Sequence, residues 1–184
     1  MVGDLSSYFR SVLQLKTVKR AGWVSKVKID NAESVADHTF SMCAIAMLLS
    51  DILGLDTCKV MKMVILHDLA ESIVGDYIPG DVPANLKITK EKRAMSFILS
   101  GLPRKERIEY AKTWFEYVHN RTDAARFVHR VDKLEMALQA DKYAKQGHAG
   151  RLLAPFLESA SKAIGNGDIV SQILNSLKSG TTKR

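Results

Sequence analysis

The stretch Val64-Ile65-Leu66-His67-Asp68-Leu69-Ala70-Glu71-Ser72-Ile73-Val74-Gly75-Asp76 reads as the end of an apolar helix with polar residues set into it. In a helix, His67 and Glu71 (i, i+4) and Asp68 and Glu71 (i, i+3) share a face. Burying three ionisable groups beside Ile65, Leu66, Leu69 and Ile73 is costly unless they are paired or bind a metal. That cost marks a site, and the helical period sets the terms for the rest of the chain.

Working outward, Leu5 to Leu15 carries a helical stripe. Lys19-Arg20-Ala21-Gly22-Trp23-Val24 reads as a turn or loop because Gly22 punctuates it. Ser34, with Asp37 three residues on, is placed to cap a strong helix and reads as a near miss to a capping box. Its broad face is Val35, His38, Met42, Ile45, Ala46, Leu49, Ile52 and Leu53, and Gly54 ends it. Thr57 is positioned to cap the helix that runs into the opening stretch. Gly75 to Lys87, with two glycines and two prolines, predicts the longest loop. Further helices are expected from Thr89 or Lys90 to Gly101, over 104–117, from Ala124 to about Lys145, and over 152–164 and 169–177. No sustained two-residue alternation is present. The reading is one all-α domain over 1–178, of roughly seven to nine helices, followed by a disordered basic tail over 179–184.

The chain has 184 residues and a formal net charge of +7, with 46% hydrophobic and 26% charged residues. These values suit a soluble globular domain. No apolar run reads as long enough to span a membrane, and no signal peptide is apparent, so a cytoplasmic protein without a membrane partner is expected. Cys43 and Cys58 lack metal-ligand spacing and read as reduced core thiols. The positive charge fits either a polynucleotide surface or attraction for a small anion. Lys and Arg are spread along the chain rather than clustered among exposed aromatics, which disfavours nucleic acid. A solvated basic surface accounts for the charge equally well.

His38, His67, Asp68, Glu71 and Asp132 are polar residues on apolar helical faces. Two imidazoles with carboxylates suit one first-row divalent ion (Mn, Co, Fe, Ni or Zn) better than Mg. Four protein ligands leave positions open for water and substrate oxygens. Each residue also has a plainer reading. His38 could pack or cap, Asp132 could pair with Arg130 or Lys133, and Arg20 could be a solvated member of a basic cluster. Trp23 could be a core anchor, Asp76 a turn residue and Glu116 an exposed helical Glu.

The order His38…His67-Asp68…Asp132 resembles the signature of the HD-domain metal-dependent phosphohydrolases. Arg20-Ala21-Gly22-Trp23, Glu33-Ser34-Val35-Ala36-Asp37-His38, His67 to Asp76 and Phe127 to Met136 resemble the YfbR-like 5′-deoxynucleotidases and their eukaryotic and archaeal relatives. The resemblance spans residues 8–145. It implies that His38, His67, Asp68 and Asp132 hold the metal and that Glu71 orients or deprotonates the attacking water. It also implies that Asp76 meets the sugar side and shares in catalysis, that Arg20 holds the phosphate, and that Trp23 packs by the sugar against a 2′-hydroxyl. Glu116 is the nearest match to a further acidic substrate-binding residue some fifteen positions before the last Asp. Ala21-Gly22 separate Arg20 from Trp23, which are adjacent in the bacterial enzyme. The implied activity is hydrolysis of deoxyribonucleoside 5′-monophosphates by a homodimer, through attack of a metal-bound water. Two alternatives stand beside it: hydrolysis of another nucleotide phosphoester, and a non-catalytic metal-stabilised binding module.

Overall fold

The structure is a computed structural model that describes the backbone of residues 4–181 and side chains as far as 177. Nine α-helices make up the fold of the described residues. They are α1 (Ser6–Gln14), α2 (Val35–Leu53), α3 (Thr57–His67), α4 (Glu71–Val74), α5 (Ala84–Leu99), α6 (Arg104–Val118), α7 (Asp123–Lys145), α8 (Gly150–Ile164) and α9 (Ile169–Thr181). Between α1 and α2 lies a π-helical turn, Trp23–Val27. No strand is present among the described residues beyond a single bridge of Lys19 to Ser34.

The central element is α7, which packs against α2, α3, α6, α8 and α9. Thr122 caps it by accepting from Ala125 N–H at 3.2 Å, and Lys142 and Lys145 stand at its negative end. Val128, Val131, Leu134 and Ala137 are buried in the main core with Met42, Ala46 and Val64 of the α2–α3 pair. A second cluster joins Leu66 and Leu69 to Met95, Ile98 and Trp114 of α5 and α6. His67 and Asp68 lie where the two clusters meet.

Several helix ends differ from the sequence reading. Ser34 and Asp37 form a complete reciprocal capping box: Ser34 Oγ accepts from Asp37 N–H, and Asp37 Oδ2 accepts from Ser34 N–H at 2.8 Å. A short Asp does the work of the usual Glu or Gln. Asp56, not Thr57, caps α3, accepting from Lys59 N–H. The loop after Gly75 ends at Pro83, because Pro83 sets up α5 at Ala84. Gly22 does not break the chain. It is helical and leads into the π turn, which closes at Lys28 in the left-handed region (φ +64°). Helix α9 takes in residues 179–181 of the expected tail, and 182–184 lie outside the described residues.

Two burial expectations are also corrected. Ile52 and Leu53 are exposed, since the inward stripe of α2 has rotated past them by its last turn. Cys58 is exposed and Cys43 half-buried, both as free thiols. Helix α2, nineteen residues long with a mean hydropathy of 1.3 over an eighteen-residue window, is long and apolar enough to cross a membrane by composition. Its inward face is core and carries His38; its outward face shows Phe40, Met47, Leu48 and Ile52.

Candidate metal centre and substrate cavity

The opening stretch is not one continuous helix. α3 stops at His67, Asp68 turns the chain (φ −106°, ψ 9°), and Glu71 starts the four-residue α4. Tight backbone bonds, Glu71 N–H to Asp68 O among them, hold this corner. The break aims His67 and Asp68 at α2 and α7 rather than along one helix face.

His38 from α2 and Asp132 from α7 complete the cluster. His38 Nε2 is 3.4 Å from Asp132 Oδ1 and 3.9 Å from Asp68 Oδ2, and His67 Nε2 is 3.0 Å from Asp68 Oδ2. Ligands about 2.1 Å from one ion stand about 3.0 Å apart at right angles and about 3.4 Å apart at a tetrahedral angle. The 3.0 and 3.4 Å separations match such edges, and the 3.9 Å separation is wider. The donor atoms of His38, His67 and Asp132 lie within 4.8 Å of one another.

The imidazoles are set up to donate lone pairs. His67 Nδ1–H donates to Val64 O at 2.6 Å, and His38 Nδ1–H donates to Glu135 Oε2 at 2.5 Å. Each Nε2 is buried with no hydrogen-bond partner. An orphaned buried nitrogen flanked by carboxylates is a site for a cation. Burial and Arg20 push the His38 pKa down, but the Asp132 and Glu135 carboxylates outweigh them and lift it to about 9, so at neutral pH an ion binds Nε2 by displacing a proton. Burial raises Asp68 and Asp132, yet His67, His38 and Arg20 hold Asp68 well below the usual carboxylate range. His38, Lys133 and Arg20 do the same for Asp132.

Arg20 spans the cluster, 3.5 Å from Asp68 Oδ2, 3.8 Å from Asp76 Oδ1 and 4.0 Å from Asp132 Oδ1. Asp76 also accepts from Ala21 N–H at 2.7 Å, so it ties the arginine's loop to the end of α4. Glu71 is 4% exposed and its Oε2 has no partner. Burial, then repulsion from Asp68 and Asp76, pushes its carboxyl well above the ordinary range, as a general acid–base group requires. Arg20, Asp68, Glu71, Asp76 and Asp132 line a cavity of about 270 Å³. Trp23, Tyr77, Ile78, Pro79, Met136, Pro155 and Phe156 supply its apolar lining, with Lys26, Lys87 and Lys133 also on its wall.

The structure does not bring Glu116 to this cavity. Its carboxylate meets Lys59 Nζ of α3 at 2.7 Å. The next residue, Tyr117, turns to the cluster instead. Its ring stands edge-on to His67 at 5.3 Å and stacks on His129 at 4.0 Å. A step of one residue rotates a helical side chain by about 100°, enough to exchange the two directions. Trp23 is buried as a core ring, stacked on Phe156 and donating Nε1–H to Glu33 Oε1 at 2.8 Å, although it also lines the cavity. Of the two partners considered for Asp132, Lys133 is the one found, at 2.9 Å; Arg130 forms a fork with Asp168.

Sequence reasoning missed Glu135, Glu33, Phe156 and the cavity lysines. Glu135 left a signal: a carboxylate three residues after Asp132, inside the apolar stripe of α7. Phe156 left none, because its apolar helix reads as ordinary core.

The model of the family described as HD domain matches residues 12–169. The human protein 5′-deoxynucleotidase HDDC2 is 36% identical over 172 residues, which cover 92% of this chain and 83% of its own. The 5′-deoxynucleotidase YGK1 of Saccharomyces cerevisiae is 31% identical over 155 residues, covering 81% and 71%. Among solved structures, the PH0347 protein from Pyrococcus horikoshii OT3 superposes with a TM-score of 0.73 at 30% identity. That match covers 92% of this chain and 96% of the other.

Proposed function

Because the chain belongs to the HD-domain family, we propose that it is a metal-dependent phosphomonoesterase that hydrolyses deoxyribonucleoside 5′-monophosphates to deoxynucleoside and phosphate. One observation carries the reading. The buried, unpartnered Nε2 atoms of His38 and His67 stand against the carboxylates of Asp68 and Asp132, which line one cavity with Arg20 and the buried Glu71.

His38, His67, Asp68 and Asp132 would hold the ion, and their mixed N/O set favours Co, Mn, Ni, Fe or Zn over Mg. When bound, the ion supplies Lewis acidity toward a phosphoryl oxygen and lowers the pKa of water. Arg20 offers a planar fork to two phosphate oxygens and is held in place by Asp76. Glu71 takes a proton from the attacking water; burial, then Asp68 and Asp76, raise its affinity for that proton. Asp76 keeps the Arg20 loop against the site. Phosphoryl transfer asks for this positioning and charge neutralisation rather than covalent help.

We further propose a cytoplasmic homodimer. The free thiols of Cys43 and Cys58 suit a reducing compartment. Phe40 (75% exposed), Met47, Leu48 and Ile52 form an apolar stripe on α2 for a second copy to cover. Light scattering of the wild type and Phe40→Asp tests it; a wild-type monomer at micromolar concentration removes the dimer.

The activity test starts from chelator-stripped protein. Phosphate release is measured from ribo- and deoxyribonucleoside monophosphates as Co, Mn, Ni, Zn and Mg are returned singly, with Glu71→Ala as control. Metal-dependent release from deoxy substrates, lost in the variant, is the expected result. Release unaffected by Glu71→Ala refutes its role, and no release with any metal refutes the activity.

A further inference from the structure

We propose that Phe156 is the platform on which the substrate's nucleobase stacks, with Trp23 behind it as a positioning residue; this rests on the nucleotide reading above. The cavity lining combines ionic side chains with apolar and aromatic ones, among them Tyr77, Met136, Pro155 and Phe156. A phosphate drawn to Arg20 leaves the rest of a nucleotide to that apolar lining, and of the Tyr77 and Phe156 rings Phe156 is the one seated on a second aromatic ring. A flat base gains there by leaving water and by stacking.

Phe156 is held as a shelf. It is half-buried and lines the cavity, and it rests on Trp23 with ring centroids 4.2 Å apart and planes 27° apart. Trp23 is fixed in turn by its bond to Glu33 and by the edge contact of Tyr143 at 5.3 Å. Gly22 completes the seat: a Cβ there would stand 3.2 Å from Phe156 Cε1. The segment Arg20-Ala21-Gly22-Trp23 thus serves both the ionic and the aromatic lining of the cavity. Arg20 faces the carboxylates, Gly22 leaves room for the ring, and Trp23 supports it. A ring ordered before binding loses little further rotamer freedom when a base arrives.

The test compares deoxyadenosine 5′-monophosphate, deoxycytidine 5′-monophosphate and deoxyribose 5-phosphate as substrates of metal-loaded wild type, Phe156→Leu and Phe156→Tyr. Equilibrium dialysis of deoxyadenosine monophosphate against the same proteins gives a readout independent of turnover. Phe156→Leu is expected to lower kcat/KM for the nucleotides by about 5- to 150-fold relative to the sugar phosphate, mainly through KM. Phe156→Tyr, which keeps the ring face, is expected to restore that ratio. An equal fall for all three substrates makes Phe156 a prop of the fold and overturns the proposal, as does no fall. If the wild type hydrolyses none of them, the phosphatase reading fails and dialysis decides the platform. Binding weakened by Leu and kept by Tyr supports it; unchanged binding overturns it.

Discussion

Replacing Glu135 by leucine removes the acceptor of the His38 Nδ1–H while leaving all four candidate ligands in place. Glu135 is 2% exposed and lies 2.5 Å from Nδ1, with the Glu33 carboxylate in the same cluster. Two effects on the fold oppose each other. A buried N–H left unpaired costs about 1–3 kcal/mol. Against this, Glu33, which burial and then Glu135 raise to about 7, loses a repulsive neighbour. The variant therefore folds with a loss below about 3 kcal/mol. The larger consequence falls on the metal. A carboxylate behind a ligating histidine fixes its tautomer and raises its basicity, and losing one lowers metal affinity about 10- to 100-fold. That is about 1.4–2.7 kcal/mol of binding. Glu135→Gln keeps an acceptor but not the charge, so it falls between wild type and Glu135→Leu. Calorimetric titration of Co or Mn into chelator-treated protein reads the order, and urea melts read the fold. Unchanged affinity in a folded Glu135→Leu protein would refute the argument.

Returning Co or Mn to stripped protein at about a hundredfold its Kd should stabilise the fold by about 2.7 kcal/mol. His38→Ala and Asp132→Ala should abolish the gain in a thermal melt; a gain that persists puts the ion elsewhere. Asp168 precedes α9, accepts from Ser171 N–H and forks with Arg130, and the bonds from Arg130 lead in depressing its pKa. A depressed carboxylate stabilises the fold above its unfolded pKa of about 3.9, and this is lost as pH falls through the lower folded value. Asp168→Ala should therefore cost about 1–2 kcal/mol near neutrality, a deficit that shrinks in urea melts below about pH 4. A deficit that does not depend on pH contradicts the ion pair. Glu116→Gln should leave turnover at the wild-type level and cost at most about 1 kcal/mol, since it removes only a pair with partly exposed Lys59. A large fall in kcat/KM would return Glu116 to the site.

The helices were legible because their signals are local. Ser34 and Gly54 mark ends by hydrogen-bond chemistry that needs only neighbouring residues, and the stripes of α2 and α7 follow from the helical period. The errors were local too. Asp56 outcompeted Thr57 as a cap, and the chain turned at Asp68 where continuous periodicity suggested a helix.

By itself, then, the sequence determined an all-α chain with a buried, charged corner at His67 to Asp76 and the partners His38 and Asp132 for it. Uncompensated charge on an apolar face is improbable at any one position and more so at several. The tertiary structure alone decided which of two adjacent residues, Glu116 or Tyr117, faces that corner, because the helix's rotation against its neighbours chooses between them. It alone brought Glu135 behind His38, ninety-seven residues away. It alone placed Phe156 of α8 on Trp23, where an apolar ring reads as core until the packing leaves it lining a cavity.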